Sequence, residues 1–142
     1  VLDGLQDPGN VGTLIRSAFA SGFSFVYLVD SVKKSNAKLI RSSVGAVFDS
    51  KVFELSRDEF VAFSQKNNLN LLKCDMNGEN IFNFKTDKQV GVVIGNEGQG
   101  VSKEISNLCK QSVKIPMMPG IESLNAGVSG SIIMYEINKT LF

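Results

Sequence analysis

Short apolar runs of β type alternate with helical stretches along the whole chain, and that alternation most limits what it can fold into. Val1 to Leu5 reads as a strand, followed by a turn at Asp7-Pro8-Gly9-Asn10. Val11, Leu14, Ile15, Ala18 and Phe19 then recur at helical spacing until Gly22 ends the run. Phe23 to Val29 predicts a strand, Asn36 to Ser43 a short helix, and Val52 to Leu55 another strand. Ser56-Arg57-Asp58-Glu59 has the spacing of a capping box and predicts a helix to about Lys66. Leu69 to Cys74 and Val90 to Ile94 predict strands, with a polar loop from Asp75 to Lys88 between them. Ser102 is placed to cap a short helix ending near Lys110. Val113 to Ile115 predicts a last strand, and Leu124 to Leu141 a long C-terminal helix. Strands that alternate with helices are joined by crossovers, so neighbours run parallel and helices cover the sheet. The expectation is an α/β fold: a mostly parallel sheet with helices on both faces, forming one domain over residues 1–142.

With 142 residues, 43% of them hydrophobic, the chain can bury one real core. No apolar run approaches the roughly 20 residues of a membrane span, and nothing in the sequence marks a secreted protein. Cys74 and Cys109 lie far apart with no CxxC, which fits two reduced thiols in a cytoplasmic protein. The chain holds no histidine, so it lacks the usual general base and the usual metal ligand. No metal is expected, and chemistry must run on Asp, Glu, Arg, Lys, Ser, Asn or backbone groups. A net charge of +1 neither favours nor excludes nucleic acid, because a local patch can do what the total does not. The one local basic cluster is Lys33, Lys34, Lys38 and Arg41, which reads either as an RNA contact or as a solvated face.

Three segments carry possible chemistry. In the first, Asn10-Val11-Gly12-Thr13-Leu14-Ile15-Arg16, a polar turn leads into a helix whose N-terminus favours anions. Arg16, a little over a turn inside, could reach a phosphate or ribose; equally, Asn10 could be a helix cap and Arg16 a solvated charge. In the second, Gly95-Asn96-Glu97-Gly98-Gln99-Gly100 follows a strand, and its glycines allow close approach of a ligand. The G-x-x-G-x-G spacing differs from the dinucleotide fingerprint G-x-G-x-x-G, which counts against a Rossmann oxidoreductase. In the third, two prolines and a glycine pin a loop from Ile115 to Asn125, with Ser123 opening the last helix. Such a loop could enclose a flat apolar ring while its backbone reads the ring's edge. The following Ala126, Gly127, Ser129, Gly130 and Ser131 mark a place where something packs close.

Taken in order, these segments resemble the N-x-G-x-x-x-R, G-x-E-x-x-G and I-P-M…S-L-N motifs of the SpoU/TrmH family, within the SPOUT methyltransferase superfamily. Arg41-Ser42-Ser43-Val44-Gly45-Ala46-Val47-Phe48 is similar to a further basic segment of the family, and the resemblance covers essentially the whole chain. It implies a C-terminal trefoil knot and S-adenosyl-L-methionine as methyl donor. It also implies transfer to a ribose 2′-hydroxyl of rRNA or tRNA by a homodimer. By the same resemblance Gly95, Ile115, Met117 and Leu124 line the cofactor site, while Asn10, Arg16, Glu97, Ser123 and Asn125 are catalytic. Arg16 would grip the RNA with Lys34, Lys38 and Arg41, and either Arg16 or Glu97 would handle the proton. The other readings are a non-catalytic RNA-binding module and a relative that methylates a base nitrogen. Because the chain opens at Val1-Leu2-Asp3 without methionine, an RNA-recognition domain is expected upstream, as in many relatives.

Overall fold

The computed structural model describes residues 1–49 and 51–142. Six strands form one sheet: β1 (Leu2–Asp3), β2 (Val26–Val29), β3 (Val52–Leu55), β4 (Leu71–Asn80), β5 (Gly91–Gly95) and β6 (Cys109–Lys114). Their order is β3-β2-β1-β5-β4-β6, and every pairing is parallel. The helices are α1 (Pro8–Ala20), α2 (Ala37–Ser42), α3 (Arg57–Lys66), α4 (Lys103–Ser106) and α5 (Ala126–Ile137).

Alternation along the strands splits the core in two. Leu28, Leu72, Val92 and Ile94 face one side, where they pack with Val11, Leu14 and Ile15 of α1, Leu39 of α2 and Ile133 of α5. Val29, Leu71 and Val93 face the other, against Phe60 of α3 and Ile105 of α4. A strand buried on both faces reads as an unbroken apolar run, which is what Val92-Val93-Ile94 shows. The expected parallel sheet with helices on both faces is therefore the observed one.

Several boundaries differ from the expectation. Helix α1 begins at Pro8, because Asp7 caps it by accepting the Asn10 N–H at 2.8 Å and Pro8 has no N–H to leave unpaired. Asn10 is thereby freed from capping. Ser56 and Glu59 do form the capping box of α3. Strand β4 does not stop at Cys74: it bulges and returns to β6 through Glu79 and Asn80, where a loop was expected. Gly78 permits this, since a Cβ there would stand 2.5–2.6 Å from the Val113 backbone. Helix α4 ends at Ser106, not near Lys110, and Ser102 makes no side-chain cap bond. Strand β6 starts at Cys109, four residues ahead of the expected Val113. Its first half is polar, which an edge strand tolerates and an apolar-run criterion misses. Ser123 does not open α5; Asn125 caps it by accepting the Val128 N–H at 3.2 Å, and α5 ends at Ile137 before a 3₁₀ turn over Lys139–Leu141.

What packs close to the small residues of α5 is α1 and β5. A Cβ on Gly130 would overlap Leu14 and Ile94. Ser131 donates to Ser17 Oγ at 2.7 Å, and Asn138 donates to the Ser21 carbonyl at 2.8 Å.

Candidate active site

The carboxyl ends of β4, β5 and β6 open into one cleft of about 1110 Å³. Clefts that bind small molecules in parallel α/β sheets lie at this end of the strands. Ile94, Ile115, Met117, Leu124 and Ile133 give it apolar walls, and Lys73, Asp75 and Asn77 give it a polar one. The Asp75 carboxylate is held below the usual range, first by the Asn77 N–H at 2.9 Å and then by the Lys73 ammonium at 3.1 Å. Burial pushes the Cys74 thiol up to about 12, so it lines the cleft as a neutral group and not as a nucleophile.

The loop after β5 is organised by Asn96, a residue that the sequence reading passed over. Its backbone pairs with Gly100 in both directions, at 3.0 and 2.8 Å. Its Oδ1 accepts the N–H groups of Gly98 and Gln99 at 2.9 and 3.1 Å. An Asn between glycines is the signal that was available. Gly95 is needed for this closure: a Cβ there would overlap Gly100 and the Val101 nitrogen. The expected clearance for a ligand is thus occupied, on that side, by the protein's own loop. Gly95 still lines the cleft, as do Ile115, Met117 and Leu124.

All three segments meet around Asn10. Its Nδ2 donates to Glu97 Oε1 at 3.0 Å, joining the first segment to the second. A Cβ on Gly127 would stand 3.1 Å from Asn125 Oδ1 and 3.2 Å from Asn10 Oδ1, so the third segment abuts the same point. Glu97, Ser123 and Asn125 are exposed on the cleft wall. This holds a carboxylate at the rim of an apolar slot, with its second oxygen unengaged among the described residues.

The structure does not bring the expected RNA-binding residues into the cleft. Arg16 is exposed on α1 and is not part of the lining. Lys34 turns inward, donating to the Val52 carbonyl at 2.9 Å, and Lys33 lies 3.9 Å from Glu54. Lys38 and Arg41 are exposed on α2. The Lys38 side chain lies near Gly9, at the start of α1 and one residue from Asn10, since a Cβ on Gly9 would be 3.9 Å from its Cε. Of the expected four-residue basic cluster, Lys33, Lys38 and Arg41 are exposed and Lys34 is half-buried. Among the described residues no group of His, Cys, Asp and Glu is arranged to hold a metal ion.

Comparison with known proteins identifies the family and the fold. The family described as SpoU rRNA Methylase matches residues 1–135. A TrmH family protein of Staphylococcus epidermidis is 32% identical over 142 residues, covering 98% of this chain and 57% of its own length. The 23S rRNA (adenosine(1067)-2′-O)-methyltransferase of Streptomyces laurentii is 34% identical over 139 residues, covering 95% and 52%. The chain thus spans little more than half the length of these relatives. Among solved structures, an AdoMet-bound rRNA methyltransferase from Sinorhizobium meliloti matches with a TM-score of 0.90 at 26% identity, covering 99% of this chain and 55% of its own. The SpoU methyltransferase AviRb from Streptomyces viridochromogenes, in complex with the cofactor AdoMet, matches with a TM-score of 0.89 at 28% identity, covering 99% and 56%.

Proposed function

The chain belongs to the SpoU rRNA Methylase family, and on that premise we propose that it transfers a methyl group from S-adenosyl-L-methionine to a ribose 2′-hydroxyl of structured rRNA or tRNA. The observation that carries the reading is the bond from Asn10 to Glu97 at the rim of the cleft, which joins two separate motifs beside the third. The cleft suits the donor: its apolar walls can take a flat ring, and the irregular backbone from Ile115 to Asn125 offers polar groups for the ring's edge. Gly95, Ile115, Met117 and Leu124 would hold it. When bound, it supplies an electrophilic methyl group on a sulfonium. A C-terminal trefoil knot belongs to the same proposal, supported by the likeness to the AdoMet-bound structures.

The remaining roles fall to the chain's own side chains. A free guanidinium has a pKa above about 12 and is a poor base. Glu97, fixed by Asn10 and rimming the cleft, is the better placed group to take the proton of a ribose hydroxyl. Arg16, solvent-facing outside the cleft, is suited to grip a phosphate–ribose unit of the RNA and so to position the ribose. Ser123 and Asn125 orient the ribose and the donor. Lys38 and Arg41 extend the RNA-facing side beyond Asn10.

Labelled methyl transfer to rRNA and tRNA, followed by nucleoside analysis, tests the whole reading. A 2′-O-methylated nucleoside is expected. A methylated base, or no transfer despite bound donor, would turn the assignment to the base-modifying or the non-catalytic alternative. Arg16→Ala should slow transfer about 100-fold by misplacing the ribose and change S-adenosylhomocysteine affinity by less than about threefold, within about 0.7 kcal/mol. Arg16→Lys should rescue poorly, since an ammonium lacks the planar fork. Reversing Lys38 and Arg41 to Glu should raise KM for RNA, most at low salt.

A homodimer is part of the proposal. Val128 and Tyr135 are 49% and 43% exposed two turns apart on α5, and Tyr135 stacks on Phe142 with ring centroids 5.8 Å apart. Such an apolar face favours burial against a second copy. Tyr135→Glu should shift sedimentation from dimer to monomer; a wild-type monomer at micromolar concentration would refute the assembly. A cytoplasmic site of action fits the two unpaired thiols. Among the described residues no helix is long and apolar enough to cross a membrane.

A further inference from the structure

Asp3 ends β1 and is 1% exposed, yet no step above uses it. Burying a carboxylate is costly unless it is paired and hydrogen-bonded. Here both oxygens are engaged. Oδ2 accepts the backbone N–H of Ser102 at 2.7 Å, and Oδ1 accepts Nη2 of Arg57 at 3.1 Å. The neighbouring Gly4 carbonyl accepts Nδ2 of Asn96 at 2.9 Å. The end of β1 therefore grips the loop after β5 twice, at its start through Asn96 and at its finish through Ser102. Between those two points lies Glu97. Arg57, from the first turn of α3, also lies 3.7 Å from Asp30, so it bridges two carboxylates. A neutral residue at position 3 would suffice if β1 only had to be buried. A charged acceptor makes a shorter and stronger bond to one backbone N–H, and that N–H belongs to the loop.

We infer that Asp3 is a positioning residue, acting through the Ser102 N–H, beside the Gly4–Asn96 bond, to set the Glu97 loop against the cleft. The inference rests on the methyltransferase reading for its purpose, but not for its geometry. The competing account is that Asp3 and Arg57 simply tie β1 to α3. The two accounts differ in what moves when the tie is cut.

Asp3→Asn keeps the shape and an acceptor oxygen but loses the charge. On the whole chain, amide hydrogen exchange read by NMR should accelerate about tenfold or more at Gly98, Gln99 and Gly100. Exchange at Ile94, bonded to the Val1 carbonyl beside β1, and at Ser21, bonded to Ser17 of α1, should stay as in wild type if the tie serves the loop and not the β1–α3 contact. S-adenosylhomocysteine affinity, by calorimetry, should fall about tenfold. Ser102→Pro tests the same link from the other side. Its φ of −58° accepts proline, and the change removes the N–H while leaving the Asp3–Arg57 pair in place. If Asp3→Asn fails to fold, Ser102→Pro decides alone. Exchange that rises equally across the protein, or loop amides that exchange as in wild type, would overturn the inference. Should wild type bind no S-adenosylhomocysteine, the methyltransferase reading fails, while the exchange pattern still decides the role of Asp3.

Discussion

Gly95→Ala is expected to weaken S-adenosylhomocysteine binding about 100-fold while leaving a folded protein. The added Cβ would overlap Gly100 and the Val101 nitrogen, which are backbone and cannot rotate away. The Asn96–Gly100 bridge, bonded at 3.0 and 2.8 Å, must then open. With it goes the hold of Asn96 Oδ1 on the Gly98 and Gln99 N–H groups. Overpacking of this kind costs about 1–3 kcal/mol. Since the loop is held mainly by these few bonds, the cost falls on the loop and not on the sheet. A calorimetric titration should show affinity lower by about 100-fold or more, beside a thermal transition displaced by only a few degrees, on the order of 2–4 °C per kcal/mol. Normal binding by Gly95→Ala would mean the loop has another closed form and would remove Gly95 from the site. Wider substitutions such as valine add strain without adding information.

Gly12→Ala is expected to destabilise the protein by about 3 kcal/mol, lowering the melting temperature by roughly 6–12 °C. On an isolated helix the same change would stabilise by about 1 kcal/mol, so the sign of the effect is itself the test. Gly12 is buried where α1 crosses α2. A Cβ there would stand 2.7 Å from both Ser42 Cβ and the Ser43 nitrogen and would overlap Ser42 Oγ. Ser42 has little freedom to retreat, because its hydroxyl donates to the Pro8 carbonyl at 2.9 Å. Helices α1 and α2 would have to part, and both pack on the core that contains Leu14, Ile15 and Leu39. Denaturant unfolding measures the change directly. A more stable Gly12→Ala would show that the crossing is looser than its geometry.

The sequence by itself determined what depends on neighbours along the chain. Apolar periodicity located α1, an apolar run located β5, Ser56 and Glu59 announced α3 and its cap, and strand–helix alternation dictated a parallel sheet covered on both faces. These are local or statistical consequences of side-chain burial, so they survive without coordinates. Motif order also carried the family, because three short segments at domain-scale spacing are specific even when each alone is weak. Features set by the sheet's margin were less legible. The polar start of β6 and the bulge that returns β4 to it depend on an edge position and on Gly78 meeting Val113, neither of which leaves a periodic trace. The site lay further still from view. Asn10 and Glu97 are 87 residues apart and are joined only by the parallel crossovers. Lys34, expected in the sequence as an RNA contact or part of a solvated face, is turned inward by the Val52 carbonyl. In the sequence Gly95 reads as room for a ligand, and Gly12 carries no reading of its own. The tertiary structure decided that the first makes room for the loop's own backbone and the second for a crossing helix, because close approach is a property of two chain segments and only the fold says which two meet.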